Sequence, residues 1–192
     1  DVCSSDLSAS PQRVDPPCEY FGVCGGCSLQ HLAPESQIHF KANTLTENMA
    51  RIGKVSPAQW LEPMQDALWH YRRKARPGVK FVAKKGGVMV GFRERASAYI
   101  TSLKSCLTLV ESISDLLPGL HELFAATTIS NQIPQVEVAA ADNAVALVVR
   151  HLAPFTEDDL SLLTAFSRSN GVQMFLQPGG LKTIHPLYPA EP

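Results

Sequence analysis

The 192-residue sequence has no run of about 20 apolar residues, so nothing in it reads as a membrane-spanning helix. It has no basic stretch leading into an apolar one, and therefore no visible secretory signal. It lacks a glycine-rich phosphate loop of the form GxGxxG or GxxxxGKS/T, and it lacks a GxSxG elbow. No catalytic constellation is offered by any other grouping of residues. Cysteine is scarce and odd in number, at five, which without an export signal argues against a disulfide framework. A reduced, cytoplasmic setting with thiolates on a metal is the expectation. Acidic residues are nearly missing between Arg72 and Lys104, where Glu94 stands against Arg72, Arg73, Lys74, Arg76, Lys80, Lys84, Lys85, Arg93, Arg95 and Lys104. Basic residues are in turn rare from residue 105 onward, where only Arg150, Arg168 and Lys182 occur. The net charge of −1 conceals this asymmetry.

The scarce cysteines are concentrated. Cys18, Cys24 and Cys27 fall within ten residues, separated by five and then two positions, with Gly25-Gly26 between the last pair. Glycine allows the backbone to wrap closely round a bound ion or cluster. A lone cysteine is often a small buried hydrophobe, but three so close together point to ligation. A tetrahedral or cubane site needs one more ligand, and Cys106 is the candidate, since Cys3 lies in a polar leader. Structural zinc favours two short-spaced pairs, and only Cys24 and Cys27 form one. Three clustered cysteines and a remote fourth are nearer to the way [4Fe–4S] clusters are held. Zinc and iron–sulfur both stay open on chemistry alone. His31 follows four residues after Cys27 and suits a supporting hydrogen bond better than a ligand position.

The basic stretch interleaves arginines with Tyr71, Phe81 and Phe92. Cationic side chains bind phosphate backbones through counterion release, and exposed aromatics stack on unpaired bases. RNA binding is the reading, with Tyr71, Arg72, Arg73, Lys74 and Arg76 as its sharpest candidates. Arg93 suits a structural role.

The order of elements predicts an α+β fold of short antiparallel strands with a few helices. Residues 1–17 read as a linker or unrelated leader and 18–33 as the cluster loop. Residues 34–56 read as an amphipathic helix, with Pro34 in its first turn and Ile38, Ala42, Leu45, Met49 and Ile52 at helical spacing. Residues 57–192 read as a central α+β domain. Within it strands are expected over 71–82, 88–93 and 98–103, and a helical stretch over 109–126 broken at Pro118-Gly119. A hairpin is expected over 135–151, and a helix capped by Thr156 that buries Leu160, Leu163 and Phe166. Strands over 172–176 and 181–188 follow.

Taken in order, Cys18-x5-Cys24-Gly25-Gly26-Cys27, Gln30-His31, Tyr71-Arg72-Arg73-Lys74-Ala75-Arg76, Val90-Gly91-Phe92-Arg93 and Cys106 resemble the RlmD (RumA) type of ribosomal RNA uracil-C5 methyltransferase, of the TrmA/RumA class. The resemblance runs from about Cys18 to Pro192. It implies a [4Fe–4S] cluster on Cys18, Cys24, Cys27 and Cys106, large-subunit ribosomal RNA as partner, and a monomer. It also implies an S-adenosylmethionine-dependent catalytic domain, Rossmann-like, and a small RNA-binding TRAM barrel. In the family a cysteine adds to C6 of a flipped uracil, C5 takes the methyl group, and a base removes the C5 proton. The sequence is accordingly expected to be a fragment without the nucleophile, the base or the cofactor site, and inactive alone, its amphipathic helix resting on the missing catalytic domain. The alternative is a stand-alone zinc- or cluster-containing RNA-binding module.

Overall fold

The computed structural model describes residues 8–190, so Cys3 and the expectation attached to it lie outside the described residues. The chain divides into two units, one of Asp1–Phe21 with Cys27–Leu68 and one of Gly22–Gly26 with Trp69–Pro192.

In the first unit the chain around Arg13 pairs with the chain around Leu32. Val14 N–H donates to the His31 carbonyl at 3.0 Å, and Ala33 N–H donates to the Gln12 carbonyl at 2.9 Å. The part of the leader nearest the cysteines is therefore held in place. Helix α1 (Pro34–Asn48) begins with Pro34, whose missing N–H costs nothing in a first turn, and with Glu35 at the positive end of the helix dipole. The helix runs on into a wider turn over Met49–Gly53. The left-handed residue that ends it is Lys54, at φ +50°. No residue of α1 is buried, and the apolar Leu45 and Ile52 of its expected stripe remain 52% and 79% exposed.

The second unit is built on one seven-stranded sheet. Strands β1 (Lys74–Ala75), β2 (Gly78–Val82), β3 (Gly87–Gly91), β4 (Gln135–Ala140), β5 (Val145–Arg150), β6 (Gln173–Gln177) and β7 (His185–Tyr188) lie in the order β3-β2-β4-β5-β6-β7, with β1 also on β4. All pairs are antiparallel except β5 and β6. That parallel pair follows from the helix between them, because parallel neighbours need a long crossover. Helix α4 (Glu157–Asn170) supplies it. Its N-terminus is a capping box: the Thr156 hydroxyl accepts from Asp159 N–H at 3.2 Å, and the Asp159 carboxylate accepts from Thr156 N–H at 3.1 Å. Leu163 is fully buried, whereas Leu160 and Phe166 are only half-buried.

The helical stretch 109–126 breaks before the expected place. Helix α2 (Glu111–Ser114) ends at Asp115 and α3 (Leu116–Ala126) starts afresh, so Pro118 falls within the first turn of α3, where it lacks no needed donor. Gly119 then meets α4, since a Cβ there would stand 3.0 Å from the Phe166 ring. The last strand also starts late: Leu181–Thr183 form a short 3-10 turn before β7.

The core joins Val136, Val138, Leu147, Val149 and Met174 of the sheet to Ile113, Leu117, Leu120 and Phe124 of the helices. Residues 98–103 do not form a regular strand, yet they run along the outer side of β3 and its extension. Leu103 N–H donates to the Val90 carbonyl at 3.0 Å, Thr101 N–H to Phe92 at 2.9 Å, and Glu94 N–H to Tyr99 at 2.9 Å. This close passage requires glycine twice. A Cβ on Gly91 would collide with the Thr101 carbonyl, and one on Gly78, its partner in register, would sit 2.6 Å from Ile100 Cδ1. His121 of α3 fastens the same region, with Nε2 3.0 Å from the Leu103 carbonyl and Nδ1 3.3 Å from Val90 N–H.

Candidate functional site

The four cysteines singled out by their spacing are half-buried thiols. Cys18 and Cys27 belong to the first unit, and Cys24 and Cys106 to the second. Among the described residues no three His, Cys, Asp or Glu side chains are gathered into a set ready to hold a metal ion.

In the first unit the start of the loop is a tight turn, with Phe21 N–H donating to the Cys18 carbonyl at 3.0 Å. Phe21 packs its ring at a tilt against His31, 5.6 Å between centroids. His31 thus holds the loop through its ring face and its carbonyl.

In the second unit, Gly22–Gly26 lies along the turn that follows β3. Gly25 N–H donates to the Arg93 carbonyl at 2.8 Å and Arg95 N–H donates to the Val23 carbonyl at 2.8 Å, bracketing an antiparallel bridge between Cys24 and Glu94. Gly25 is needed here, because a Cβ would come 2.9 Å from the Arg93 carbonyl. Gly26 N–H points at Cys24 Sγ at 3.4 Å, and its Cα side faces Phe92. Cys106 closes a turn with Leu109, its N–H donates to Ser114 Oγ at 2.9 Å, and its Sγ lies 3.3 Å from Thr108 Oγ1.

Arg72 connects these two places. Its N–H donates to the Thr108 carbonyl at 2.8 Å and its own carbonyl accepts from Val110 N–H at 3.1 Å. Its guanidinium lies 5.3 Å over the Phe92 ring, while Nε donates to the Lys74 carbonyl at 3.1 Å. A continuous path therefore runs from Cys24 through Gly26, Phe92, Arg72 and Thr108 to Cys106. The path was not legible in the sequence, because it depends on the bridge between Cys24 and Glu94, 70 positions apart.

The arginine stretch is less uniform than its charge suggests. Tyr71 is 56% exposed. Arg73 pairs with Asp142 at 2.9 Å with both side chains largely in water, a contact of little energy. Arg76 pairs at 2.9 Å with Glu137, whose side chain is only 19% exposed. Lys74 has no ion pair among the described residues. Gly78 and Gly91 bring the backbone of this stretch near residues 100–103 of the same chain. Arg93 has no ion pair among the described residues; its contact with the cysteine loop is made by its carbonyl, which accepts from Gly25 N–H.

No family model matches the chain. The chain is 48% identical over 185 residues to a Nitrosococcus oceani protein named 23S rRNA (uracil(1939)-C(5))-methyltransferase RlmD, covering 96% of this chain and 41% of that protein. Proteins of the same name from Aromatoleum aromaticum and Chromobacterium violaceum are 46% and 44% identical, over 95% and 98% of the chain. Their own lengths are covered to 42% and 38%. Among solved structures the fold is similar to that of Pyrococcus abyssi tRNA (uracil-54, C5)-methyltransferase, determined with S-adenosyl-L-homocysteine. The TM-score is 0.58 at 16% identity, over 89% of this chain and 38% of that one. That likeness extends the agreement from sequence to fold. The chain is thus related, along nearly its whole length, to the RlmD-type 23S rRNA (uracil-C5)-methyltransferases, and spans about two fifths of the relatives it matches.

Proposed function

We propose that this chain is the cluster-bearing, RNA-positioning part of an S-adenosylmethionine-dependent methyltransferase that modifies a uracil C5 in large-subunit ribosomal RNA. The observation that carries the proposal is the matched sequence of the cysteine loop and arginine stretch, combined with the path of contacts that links Cys24, Arg72 and Cys106 in one folded unit. Cys18, Cys24, Cys27 and Cys106 would hold a [4Fe–4S] cluster. The donor set suits it, because such clusters take four thiolates and are tuned by hydrogen bonds to sulfur. Gly26 N–H on Cys24 Sγ and the Thr108 hydroxyl beside Cys106 Sγ are groups of that kind. Bound there, the cluster would supply a rigid cross-link.

The chain's own residues bind and orient. Tyr71, Arg72, Arg73, Lys74 and Arg76 contact RNA, the cations neutralising phosphates and the tyrosine offering a face to an unpaired base. Helix α1, with no buried residue, rests its apolar stripe on the catalytic domain of the whole protein. None of the described residues is assigned a chemical step, and the isolated chain is expected to transfer no methyl group from S-adenosylmethionine to ribosomal RNA. Incorporation of labelled methyl above background would overturn that assignment.

Metal and acid-labile sulfide analysis on protein purified without oxygen tests the cluster. About four irons and four sulfides per chain are expected, with the broad visible absorption of iron–sulfur charge transfer. One zinc without sulfide would move the function to an RNA-binding module that needs no enzyme around it.

A further inference from the structure

An open pocket of about 430 Å³ lies in the second unit beside the cysteine loop. It is lined by Gly25, Gly26, Arg72, Phe92, Arg93 and Arg95, with Glu94 and Ala96 at its rim. Its charge is unbalanced. The Glu94 carboxylate accepts from Ser97 Oγ at 3.2 Å and is occupied there. Neither Arg93 nor Arg95 has an ion pair among the described residues, and both are exposed. They stand two positions apart, Arg93 in a bridge to Ile100 and Arg95 at the start of the turn that follows, and both line the same pocket. Ala96 closes the rim at φ +56°, a left-handed conformation that an alanine adopts at a cost and that collects at ligand sites. The lining also includes the Phe92 ring with the Arg72 guanidinium 5.3 Å over it, a flat cationic platform.

We infer that this pocket takes one nucleotide of an unpaired RNA strand, its phosphate between Arg93 and Arg95 and its base against Arg72 and Phe92. The volume is within the range of small-ligand sites. Two arginines without an ion pair among the described residues, lining one pocket, match a phosphate. A stacked arginine offers a base a planar face without reading its edge, as sequence-tolerant single-strand sites do. This deepens the RNA reading above and rests on it, adding Phe92, Arg93 and Arg95 to Arg72 of the Tyr71–Arg76 stretch.

The test uses the whole chain, prepared without oxygen, in two titrations. Uridine 5′-monophosphate is followed by calorimetry, and a fluorescein-labelled single-stranded oligouridylate by anisotropy at several salt concentrations. The variants are Arg93→Gln/Arg95→Gln and, as a control removing equal charge elsewhere, Lys84→Gln/Lys85→Gln. The arginine variant is expected to abolish measurable mononucleotide binding and to weaken the oligonucleotide at least tenfold. It should also flatten the salt slope by about 0.7, the share of one single-strand phosphate. The lysine variant should retain mononucleotide binding. Oligouridylate binding unchanged by Arg93→Gln/Arg95→Gln, or weakened equally by both variants, would overturn the pocket and leave RNA binding standing. Mononucleotide binding lost with the arginines, in a chain that fails to hold the oligonucleotide, would support the pocket and overturn the RNA reading. Failure of both titrations with the unaltered chain overturns both.

Discussion

Single residues carry more of this structure than their exposure suggests. Gly91 is the sharpest case, because a methyl group there has no space beneath the Thr101 carbonyl and the neighbouring Leu103. Gly91→Ala is expected to cost about 3 kcal/mol, the upper end of overpacking effects, read as a shift of the denaturant midpoint at unchanged slope. Asp159 is another. It is 1% exposed, and its carboxylate accepts from Thr128 N–H at 2.8 Å, Thr128 Oγ1 at 2.6 Å and Thr156 N–H at 3.1 Å. Burial alone would raise its pKa, but the hydrogen bonds from Thr128 and Thr156 outweigh it and hold the carboxyl below its ordinary 3.8. A group depressed in the folded state adds stability that is fully present above 3.8 and fades as pH falls through the lower, folded value. Asp159→Asn should therefore lose about 2 kcal/mol at pH 7, the scale of hydrogen bonds to a charged group. It should also make stability less steep in acid, and urea unfolding of both proteins across that range checks the sign. The basic residues show the converse, since equal charge does not mean equal availability: Arg76 is held by Glu137 while Arg95 faces water.

At the level of elements, local chemistry was legible where it is complete within a few residues. Thr156 announced the start of α4, which ends at the left-handed Gly171. Thr156→Ala is expected to cost about 1 kcal/mol, measurable in thermal unfolding, as for other lost N-caps. Pro118 was harder to read, because a proline interrupts a helix or begins one according to where the first turn falls, and here it falls in the first turn of α3. Residues 98–103 have the backbone partner of a strand. They remain irregular because the chain turns through Arg95–Ser97 with Ala96 left-handed. The cysteines were found by spacing, whereas the pairing of Gly25 with Arg93 was not. Backbone bridges between distant segments leave no trace in residue type beyond the glycine that permits them. The parallel β5–β6 pair was missed for a related reason, since both strands have the same pattern in either direction and only the crossover through α4 sets their sense.

Across the whole molecule, the chain's loops and strand ends are where function is expected, and the sheet is what holds them. The cluster is expected to bind as a structural cross-link, so Cys27→Ser should lose iron and lower the melting temperature together. Iron lost with an unchanged melting temperature would argue for a cluster that serves chemistry or sensing instead. The sheet itself has a further consequence through its rims. Residues 99–103 occupy the outer side of β3, and the opposite rim is β7, four residues long and containing Pro186. A short strand with a proline and a covered neighbour are two ways a sheet is kept from adding strands. The protein is thus poorly suited to capture an extended peptide by backbone pairing or to stack into fibres through this sheet. Whatever it recognises must be met by side chains and loop amides, and those are where its cations and exposed rings are placed.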